Sequence, residues 1–288
     1  MPTTASEIET AVEVADVRRR VAAARTAGRR VAFVPTMGFL HEGHLQLVAR
    51  ARAAADLVVM SIFVNPLQFG PGEDFTRYPR DAEGDAVKAR NAGVDLLFTP
   101  TVETMYPGGA ITAVVPTGLE TRWEGAVRPG HFRGVCTVVA KLFNIVQPDF
   151  AVFGQKDVQQ ATIVRAMVRD LDFPLEVVVA PTVREADGLA MSSRNSYLSA
   201  EERVRARALS ASLRAARAAF AAGARDVGAI EAAGRAVLDR EGRTTPDYFA
   251  VVDPQTLEPA TIASPTSLVL VAARVGATRL IDNDTLGG

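Results

Sequence analysis

Short apolar runs alternate with longer helix-like segments through the first 180 or so residues, and this alternation constrains the fold more than any other feature of the sequence. The runs at residues 31–35, 57–64, 94–98, 150–153 and 175–179 are rich in Val, Ile, Leu and Phe and are typical of buried strands. The segments between them at 43–55, 80–92, 134–146 and 158–170 resemble helices. This order favours right-handed βαβ units, so the sequence predicts an α/β fold with a parallel sheet and helices on both faces.

A second, smaller α+β domain is predicted after about residue 183, where the pattern changes. Ser199 and Glu202 form a capping-box sequence that opens an Ala- and Arg-rich helix to about residue 222, and another helix follows to residue 240. Three β-like runs come last, at 248–252, 268–273 and 279–282. At roughly 150 residues per domain, the chain accommodates two domains. We predict a Rossmann-like domain over residues 1–182 and a C-terminal α+β domain over residues 183–288.

Composition excludes several classes of protein. Hydrophobic residues make up 48% of the chain and charged residues 23%, which predicts a packed globular protein. The 32 basic and 33 acidic residues nearly balance, which argues against a nucleic-acid partner. With one cysteine, Cys136, neither an intramolecular disulfide nor a zinc knuckle is expected. The first twenty residues lack an apolar core and the longest apolar run is too short to span a bilayer, so we expect a cytoplasmic protein with no membrane partner.

The first candidate for chemistry follows the first predicted strand, in the sequence Pro-Thr-Met-Gly-Phe-Leu-His-Glu-Gly-His at residues 35–44. His41 and His44 lie three residues apart at a predicted helix start, where unpaired N–H groups and partial positive charge suit a phosphate. Gly43 would let a flat ring approach the backbone. The alternative is a pair of surface histidines at a helix cap. A zinc site is not expected, because His-Glu-Gly-His is one residue shorter than the zinc-protease motif.

The second candidate is Lys156, in Phe-Gly-Gln-Lys-Asp-Val-Gln-Gln at residues 153–160, just after the fourth predicted strand. It is one of three lysines among 32 basic residues, and it can neutralise a phosphate as a point charge. Asp157 and Gln160 lie three residues apart and could hold hydroxyls or a carboxylate. The alternative is a plain helix start with Asp157 as its cap.

Two further motifs carry polar groups suited to a ligand. Met-Ser-Ser-Arg-Asn at residues 191–195 supplies hydroxyls, a guanidinium and backbone N–H groups for a triphosphate, or is a Ser- and Asn-rich interdomain turn. Gln68, after the second predicted strand, offers both a donor and an acceptor that could orient a hydroxy acid or an amine. Cys136 is most simply a buried apolar residue. His131 either lines the site or is an ordinary loop histidine.

Four motifs, at residues 35–44, 62–69, 153–160 and 184–195, resemble in order those of the pantoate–β-alanine ligase family (the pantothenate synthetases). The resemblance extends from about residue 31 to residue 283. One position departs from the family pattern: Gln155 stands where the family usually has Glu, which removes a charge beside Lys156.

The resemblance implies a two-step ligase with ATP and Mg²⁺. Pantoate is first adenylated and releases pyrophosphate, and β-alanine then displaces AMP to give pantothenate. It further implies that the first domain binds nucleotide and pantoate, that the C-terminal domain is a lid, and that the protein is a homodimer. The ligands of Mg²⁺ do not follow from it, since the nucleotide phosphates can supply most of them.

The resemblance also assigns residues to roles. His44 is implied as a proton donor, with His41 and Lys156 also catalytic. Gln68 is implied to contact pantoate and β-alanine, and Gln160 to contact pantoate. The implied ATP-binding residues are Met37, Gly38, Phe39, Leu40, His41, Glu42, Gly43, His44, Gly154, Gln155, Lys156, Asp157, Val183, Met191, Ser192, Ser193 and Arg194.

Three other functions fit part of the pattern. A nucleotidyltransferase such as a cytidylyltransferase would use the His pair and the Ser/Arg segment but not Gln68 and Gln160, and would release pyrophosphate without AMP. A metal-dependent hydrolase would use His41, His44 and His131 with a tightly bound transition metal and no ATP. A nucleotide-binding protein without enzymatic activity would bind ATP and turn nothing over.

Overall fold

The computed structural model describes residues 8–288, which divide into two units: residues 8–154 with 160–180, and residues 155–159 with 181–288. The first unit is built on a six-stranded sheet of order β1-β4-β3-β2-β5-β6, in which every pair of neighbouring strands is parallel. The strands are β1 (Glu9–Ala11), β2 (Val31–Thr36), β3 (Leu57–Ile62), β4 (Leu96–Phe98), β5 (Phe150–Gly154) and β6 (Glu176–Ala180). The predicted parallel α/β sheet is confirmed.

Helices cover both faces of this sheet, as predicted. They are α1 (Val14–Thr26), α2 (Glu42–Ala54), α3 (Ala82–Ala92), α4 (Val102–Met105), α5 (Trp123–Val127), α6 (His131–Val146) and α7 (Val158–Asp170). Successive β2 residues point to opposite faces. Phe33 packs into a core with α1 and α6 residues, whereas Val34 packs into another with α2 residues. Cys136 is buried in the first of these cores, as expected.

Several predicted bounds were wrong by a few residues, for local reasons. The strand predicted at 57–64 ends at Ile62, because Asn65 and Pro66 open a short 3₁₀ turn. The strand predicted from residue 94 begins at Leu96, because the Val94 N–H bonds back to the end of α3 beyond a left-handed Gly93. The helix predicted at 80–92 begins at Ala82, capped by Asp81. Strand β1 was not predicted, since three residues give too short a pattern.

The second unit has two helices and an antiparallel sheet of order β7-β8-β9, which confirms the α+β prediction. Its elements are α8 (Ala200–Ala221), α9 (Val227–Glu241), β7 (Thr244–Val252), β8 (Leu268–Val275) and β9 (Thr278–Thr285). The Ser199–Glu202 capping box is present, with bonds of 3.2 and 2.9 Å. Strands β8 and β9 are longer than predicted, because their antiparallel pairing continues up to the turn that joins Val275 to Thr278.

Two further predictions concern the whole chain. Within residues 8–288, no helix combines the length and apolar character needed to cross a membrane. The other prediction, that the first twenty residues contain no signal peptide, falls partly on residues 1–7, which lie outside the described residues. The roles predicted for residues 1–182 and 183–288, as binding domain and lid, stay predictions. The sequence gives no sign that residues 155–159 group with the second unit.

Candidate functional site

The two motif histidines lie side by side where β2 gives way to α2. His41 is the N-cap of α2 and His44 is its third residue, and their ring centroids are 4.1 Å apart. The His41 backbone N–H donates to His44 Nδ1 at 3.3 Å. Since Nδ1 accepts this bond, the proton of the neutral His44 ring is on Nε2. The structure therefore brings together a helix N-terminus and an imidazole whose Nε2–H is a hydrogen-bond donor.

The turn before these histidines is held by Asp85, a residue that the sequence analysis missed. Asp85 lies on α3 and is 1% exposed, and its two carboxylate oxygens each accept one backbone N–H, from Phe39 and Leu40, at 2.7 Å. Gly38 and Phe39 both have positive φ, of 87° and 52°. A Cβ on Gly38 would lie 2.8 Å from Ile62 Cγ2 and 3.0 Å from Asp85 Oδ2. The turn thus requires both the glycine and the buried carboxylate.

Gln68 presents its amide in one orientation, set by Asn65. Asn65 Nδ2 donates to Gly134 O and to Gln68 Oε1, both at 3.1 Å, while Asn65 Oδ1 accepts from Leu67 N at 3.3 Å. Because the Gly134 carbonyl can only accept, Nδ2 of Asn65 must face it, and Gln68 must turn its oxygen toward Asn65. The Gln68 oxygen is thus engaged by Asn65, and its Nε2, 3.3 Å from Met37 Sδ, is the donor that this orientation presents.

Tyr106, at the C-terminal end of α4, also holds the Asn65 side chain in place. Its hydroxyl donates to Asn65 Oδ1 at 2.8 Å, and burial raises the pKa of Tyr106 to about 12, so the phenol keeps its proton. Asn65 is fully buried. No motif in the sequence links Tyr106 to Gln68, because the two residues lie 38 positions apart and meet through a third side chain.

His131 supports the Gln68 backbone and does not lie on a loop. It is the first residue of α6, is buried, and its Nδ1 lies 2.8 Å from Gln68 O. Since a carbonyl only accepts, Nδ1 carries the proton, and Nε2 accepts from Arg128 Nη1 at 3.1 Å. Arg128 also pairs with Glu73 at 2.7 Å. Burial, and then the Arg128 charge, lower the pKa of His131 to about 4, so the ring is neutral near pH 7.

In the second unit, Lys156 sits in the 3₁₀ turn Gln155–Asp157 that leads into α7. Its side chain is 20% exposed, and its Nζ lies 3.7 Å from Asp157 Oδ1. Asn283 Nδ2 donates to the backbone oxygens of Gln155 and Lys156, at 2.8 and 2.9 Å. Asp157 thus pairs with Lys156 at the helix start, and the neighbouring Gln155 contributes its backbone oxygen to a contact with β9.

The segment after β6 is a small hairpin within the second unit. Val183 O accepts from Met191 N at 2.9 Å, and Arg184 pairs with Ala190 in an isolated bridge. Ser192 then caps the 3₁₀ turn Ser193–Tyr197, its Oγ accepting from Arg194 N at 3.3 Å. The Ser- and Asn-rich residues therefore form an ordered turn inside one unit.

The predicted site residues fall into two sets, one in each unit. The first unit holds Met37, Gly38, Phe39, Leu40, His41, Glu42, Gly43, His44, Gln68, Gly154 and Gln160. The second holds Gln155, Lys156, Asp157, Val183, Met191, Ser192, Ser193 and Arg194. Within residues 8–288, no three or more His, Cys, Asp or Glu side chains are grouped so as to hold a metal ion. His41, His44 and His131, the trio considered for a hydrolase, do not form such a group.

Comparison with known proteins identifies the family. A family model described as pantoate-beta-alanine ligase matches residues 9–285. The pantothenate synthetase of Acidobacterium capsulatum is 60% identical over 259 residues, which are 90% of this chain and 87% of that protein. That of Pelotomaculum thermopropionicum is 52% identical over 274 residues, which are 95% of this chain and 97% of that protein.

Solved structures agree with the sequence relatives. A crystal structure of pantothenate synthetase from Thermus thermophilus matches with a TM-score of 0.93 and 51% identity, covering 98% of this chain and 100% of that one. A crystal structure of the Francisella tularensis pantoate-beta-alanine ligase, complexed with beta-gamma ATP and beta-alanine, matches with a TM-score of 0.81 and 28% identity over 98% of each chain. The fold, the motifs and these comparisons together show that the chain belongs to the pantoate-beta-alanine ligase family.

Proposed function

We propose that the protein condenses (R)-pantoate with β-alanine in a reaction that consumes ATP, giving pantothenate, AMP and pyrophosphate through a pantoyl adenylate. The observation that carries this proposal is the family match over residues 9–285, which contains every motif residue discussed above. The ligase of Francisella tularensis, a relative with the same fold, was crystallised with beta-gamma ATP and beta-alanine. Both are reagents that the proposed reaction uses or mimics.

In the first step, an oxygen of the pantoate carboxylate attacks the α-phosphorus of ATP. A C–O–P linkage forms and the bond from the α-phosphorus to the bridging oxygen of pyrophosphate breaks. Negative charge grows on the phosphate oxygens, and a positioned N–H donor stabilises such charge. The Nε2–H of His44, at the positive end of α2, is that donor in our proposal.

Pantoate is recognised by amide groups in the first unit. The Gln68 Nε2 is the part of its amide not engaged by Asn65, and it is a donor suited to a hydroxyl or carboxylate oxygen. An ammonium group, in contrast, needs an acceptor. We therefore assign Gln68 to the oxygens of pantoate and of the β-alanine carboxylate, and not to the β-alanine nitrogen. Gln160, on α7, is proposed as a second pantoate contact.

ATP is proposed to contact residues of both sets. The first set supplies the turn and helix start at residues 37–44, together with Gly154. The second supplies Gln155, Lys156, Asp157, Val183 and the residues at 191–194. Lys156 contributes a positive charge for the phosphates, and the hydroxyls of Ser192 and Ser193 and the Arg194 guanidinium are proposed as further donors. Mg²⁺ is proposed to enter with the nucleotide as MgATP.

In the second step, the uncharged amine of β-alanine attacks the acyl carbon of the adenylate. A C–N bond forms, the C–O bond to the phosphate breaks, and AMP leaves with the former carboxylate oxygen. The amine loses a proton to solvent in this step. Adenylation makes the displacement feasible because AMP is a far better leaving group than an oxide.

The homodimer and the cytoplasmic location are also proposals. Residues 107–118 belong to no helix or strand and include exposed apolar side chains: Ile111 is 95% exposed and Val115 is 57% exposed. An exposed apolar segment of this kind suits pairing with a second copy. Sedimentation of the purified protein at two times the monomer mass of 30.6 kDa would support the dimer. Sedimentation at the monomer mass would contradict it.

Product analysis tests the proposed function. The purified protein is incubated with pantoate, β-alanine, ATP and Mg²⁺, and pantothenate, AMP and pyrophosphate are quantified. The proposal predicts all three in equal amounts. Pyrophosphate without AMP would instead indicate a nucleotidyltransferase, and turnover without ATP would indicate a hydrolase.

A further inference from the structure

Asn283, near the end of the chain, directs both protons of its side-chain amide to one turn. It lies on β9, is 2% exposed, and donates through Nδ2 to Gln155 O at 2.8 Å and to Lys156 O at 2.9 Å. These are successive carbonyl groups of a turn that lies more than 120 residues earlier in the sequence. A single buried amide therefore satisfies two backbone acceptors of a predicted ATP-binding segment.

The two carbonyls belong to the peptide groups on either side of the Lys156 Cα. Fixing both peptide planes restricts the φ and ψ angles of Lys156, and with them the direction in which its side chain leaves the backbone. The turn Gln155–Asp157 is three residues long, between β5 and α7, so a contact from outside it has a large share in its geometry.

Asn283 is itself firmly held, because its neighbour Asp282 is anchored. Arg184 binds the 3%-exposed Asp282 carboxylate with both terminal nitrogens, at 2.7 and 3.1 Å. Burial raises the pKa of Asp282, although the Arg184 charge acts against this change. At Arg184, burial by itself would lower the pKa, but the hydrogen bonds and charge of Asp282 outweigh it and the pKa is raised. With two short hydrogen bonds between them, we take the pair to be ionised.

The same two-residue step of β9 therefore contacts the predicted ATP-binding turn at Lys156 and also Arg184, the neighbour of the predicted ATP-binding residue Val183. Asn283 holds the Lys156 turn, while Asp282 holds Arg184, the residue that opens the hairpin leading to Ser192 and Arg194. The Asn283 backbone N–H also donates to Asp282 Oδ1 at 2.8 Å. Strand pairing with β8 places both residues on a rigid element.

We propose that Asn283 is a positioning residue for ATP, which orients Lys156 through the two backbone carbonyls that flank it. This inference rests on the proposed role of Lys156 in binding the phosphates. Asn283 acts through the turn and does not itself touch the nucleotide. Its loss weakens ATP binding more than it weakens pantoate binding, because pantoate is assigned to amides of the first unit.

The test uses the full-length protein with Asn283→Asp, which replaces the donor nitrogen by an oxygen facing two carbonyls, and with the milder Asn283→Ser. ATP dissociation constants are measured by calorimetry, and KM values for ATP and pantoate by pyrophosphate exchange. We expect ATP binding to weaken about tenfold or more for Asn283→Asp, the scale of one or two lost hydrogen bonds, and by less for Asn283→Ser. The KM for pantoate should stay within about twofold.

Leu280→Ala is the matched control on the same strand. Leu280 is buried in the core of the second unit, so its truncation destabilises β9 without removing a hydrogen bond to the turn. It should lower the melting temperature and leave the ATP dissociation constant within about twofold. If Asn283→Asp does not fold, Asn283→Ser provides the test.

The outcomes separate the inference from the proposed function. Unchanged ATP binding in the folded Asn283 variants would overturn the inference, as would an equal weakening in Leu280→Ala. A wild-type protein that binds ATP but forms no pantothenate would overturn the proposed function, and calorimetry would still report on Asn283. Selective loss of ATP binding in the Asn283 variants would support the inference.

Discussion

At the scale of single residues, His44 is the residue to which we assign the transition-state donor. Its Nδ1 accepts from the His41 backbone, so Nε2 carries the proton that we propose stabilises charge on the phosphate. We expect His44→Ala to lower the rate of adenylation by about 10²-fold or more, the usual loss for one transition-state donor. Single-turnover formation of pyrophosphate measures this rate. Near-normal turnover in a folded variant, as judged by circular dichroism, would contradict the assigned role.

The orientation of Gln68 gives a second prediction at this scale. Asn65→Asp places an oxygen where Asn65 now donates to Gln68 Oε1, so the Gln68 amide should turn over and present its oxygen to the ligand. The KM for pantoate should rise about tenfold or more, because a donor has become an acceptor, while the KM for ATP stays within about twofold.

Asn144→Asp makes the same chemical change on α6 and is the control for this prediction. Asn144 donates to Ala140 O of its own helix, and its substitution should leave both KM values unaltered. Equal increases in the KM values for pantoate and ATP in Asn65→Asp would contradict the orientation argument and indicate general damage.

The residues that we propose act directly on the substrates could be singled out from the sequence, whereas the residues that support them could not. The histidine pair, Lys156 and Gln68 stand out because uncommon or polar residue types follow apolar strands. Asp85 and Asn283 look like ordinary members of a helix and a strand. Their roles depend on backbone groups 45 to 128 residues away, which no local pattern reveals.

At the scale of elements, the connection from β2 to α2 is tightly constrained. Gly38 has a φ of 87° and no room for a Cβ, so Gly38→Ala combines backbone strain with displacement of Ile62 or Asp85. We expect it to weaken ATP binding at least about fivefold and to lower the free energy of unfolding by roughly 2 kcal/mol. Calorimetry and urea denaturation measure the two effects.

Gly28→Ala is the control that distinguishes the cost of backbone strain from the effect of displacing neighbouring side chains. Gly28 has a φ of 70°, but nothing lies within 4 Å of its hypothetical Cβ. This control should lose about 1 kcal/mol of stability and bind ATP normally. If both variants bound ATP equally well, the claim that this turn shapes the nucleotide site would be wrong.

Element types were predictable and their ends less so. The predicted strands are short apolar runs that alternate with longer helix-like segments, whereas the bounds of both depend on particular bonds. Examples are the Asp81 cap of α3 and the left-handed Gly93 that closes it. The hairpin of β8 and β9 likewise continues past the apolar runs, since backbone pairing does not require apolar side chains.

At the scale of the whole molecule, His131 links stability to pH. Its folded pKa of about 4 lies below the unfolded value of 6.5, so the unfolded chain takes up a proton first as the pH falls. The stabilisation is present above pH 6.5 and is lost progressively between about pH 6.5 and pH 4. The full difference corresponds to roughly 3 kcal/mol.

Urea denaturation of the wild type and of His131→Asn across this range tests the linkage. Asparagine can donate to Gln68 O but does not titrate, so the variant should lose less stability on acidification than the wild type. Parallel pH profiles for the two proteins would show that other groups dominate acid denaturation. The carboxylates common to both proteins cancel in this comparison.

The central claim for the whole molecule is that it activates pantoate as an adenylate. Exchange of labelled pyrophosphate into ATP, with pantoate and Mg²⁺ present and β-alanine withheld, tests that claim most directly. We predict exchange that requires pantoate and is lost when pantoate is omitted. The absence of exchange, together with the absence of pantothenate after β-alanine is added, would contradict the account.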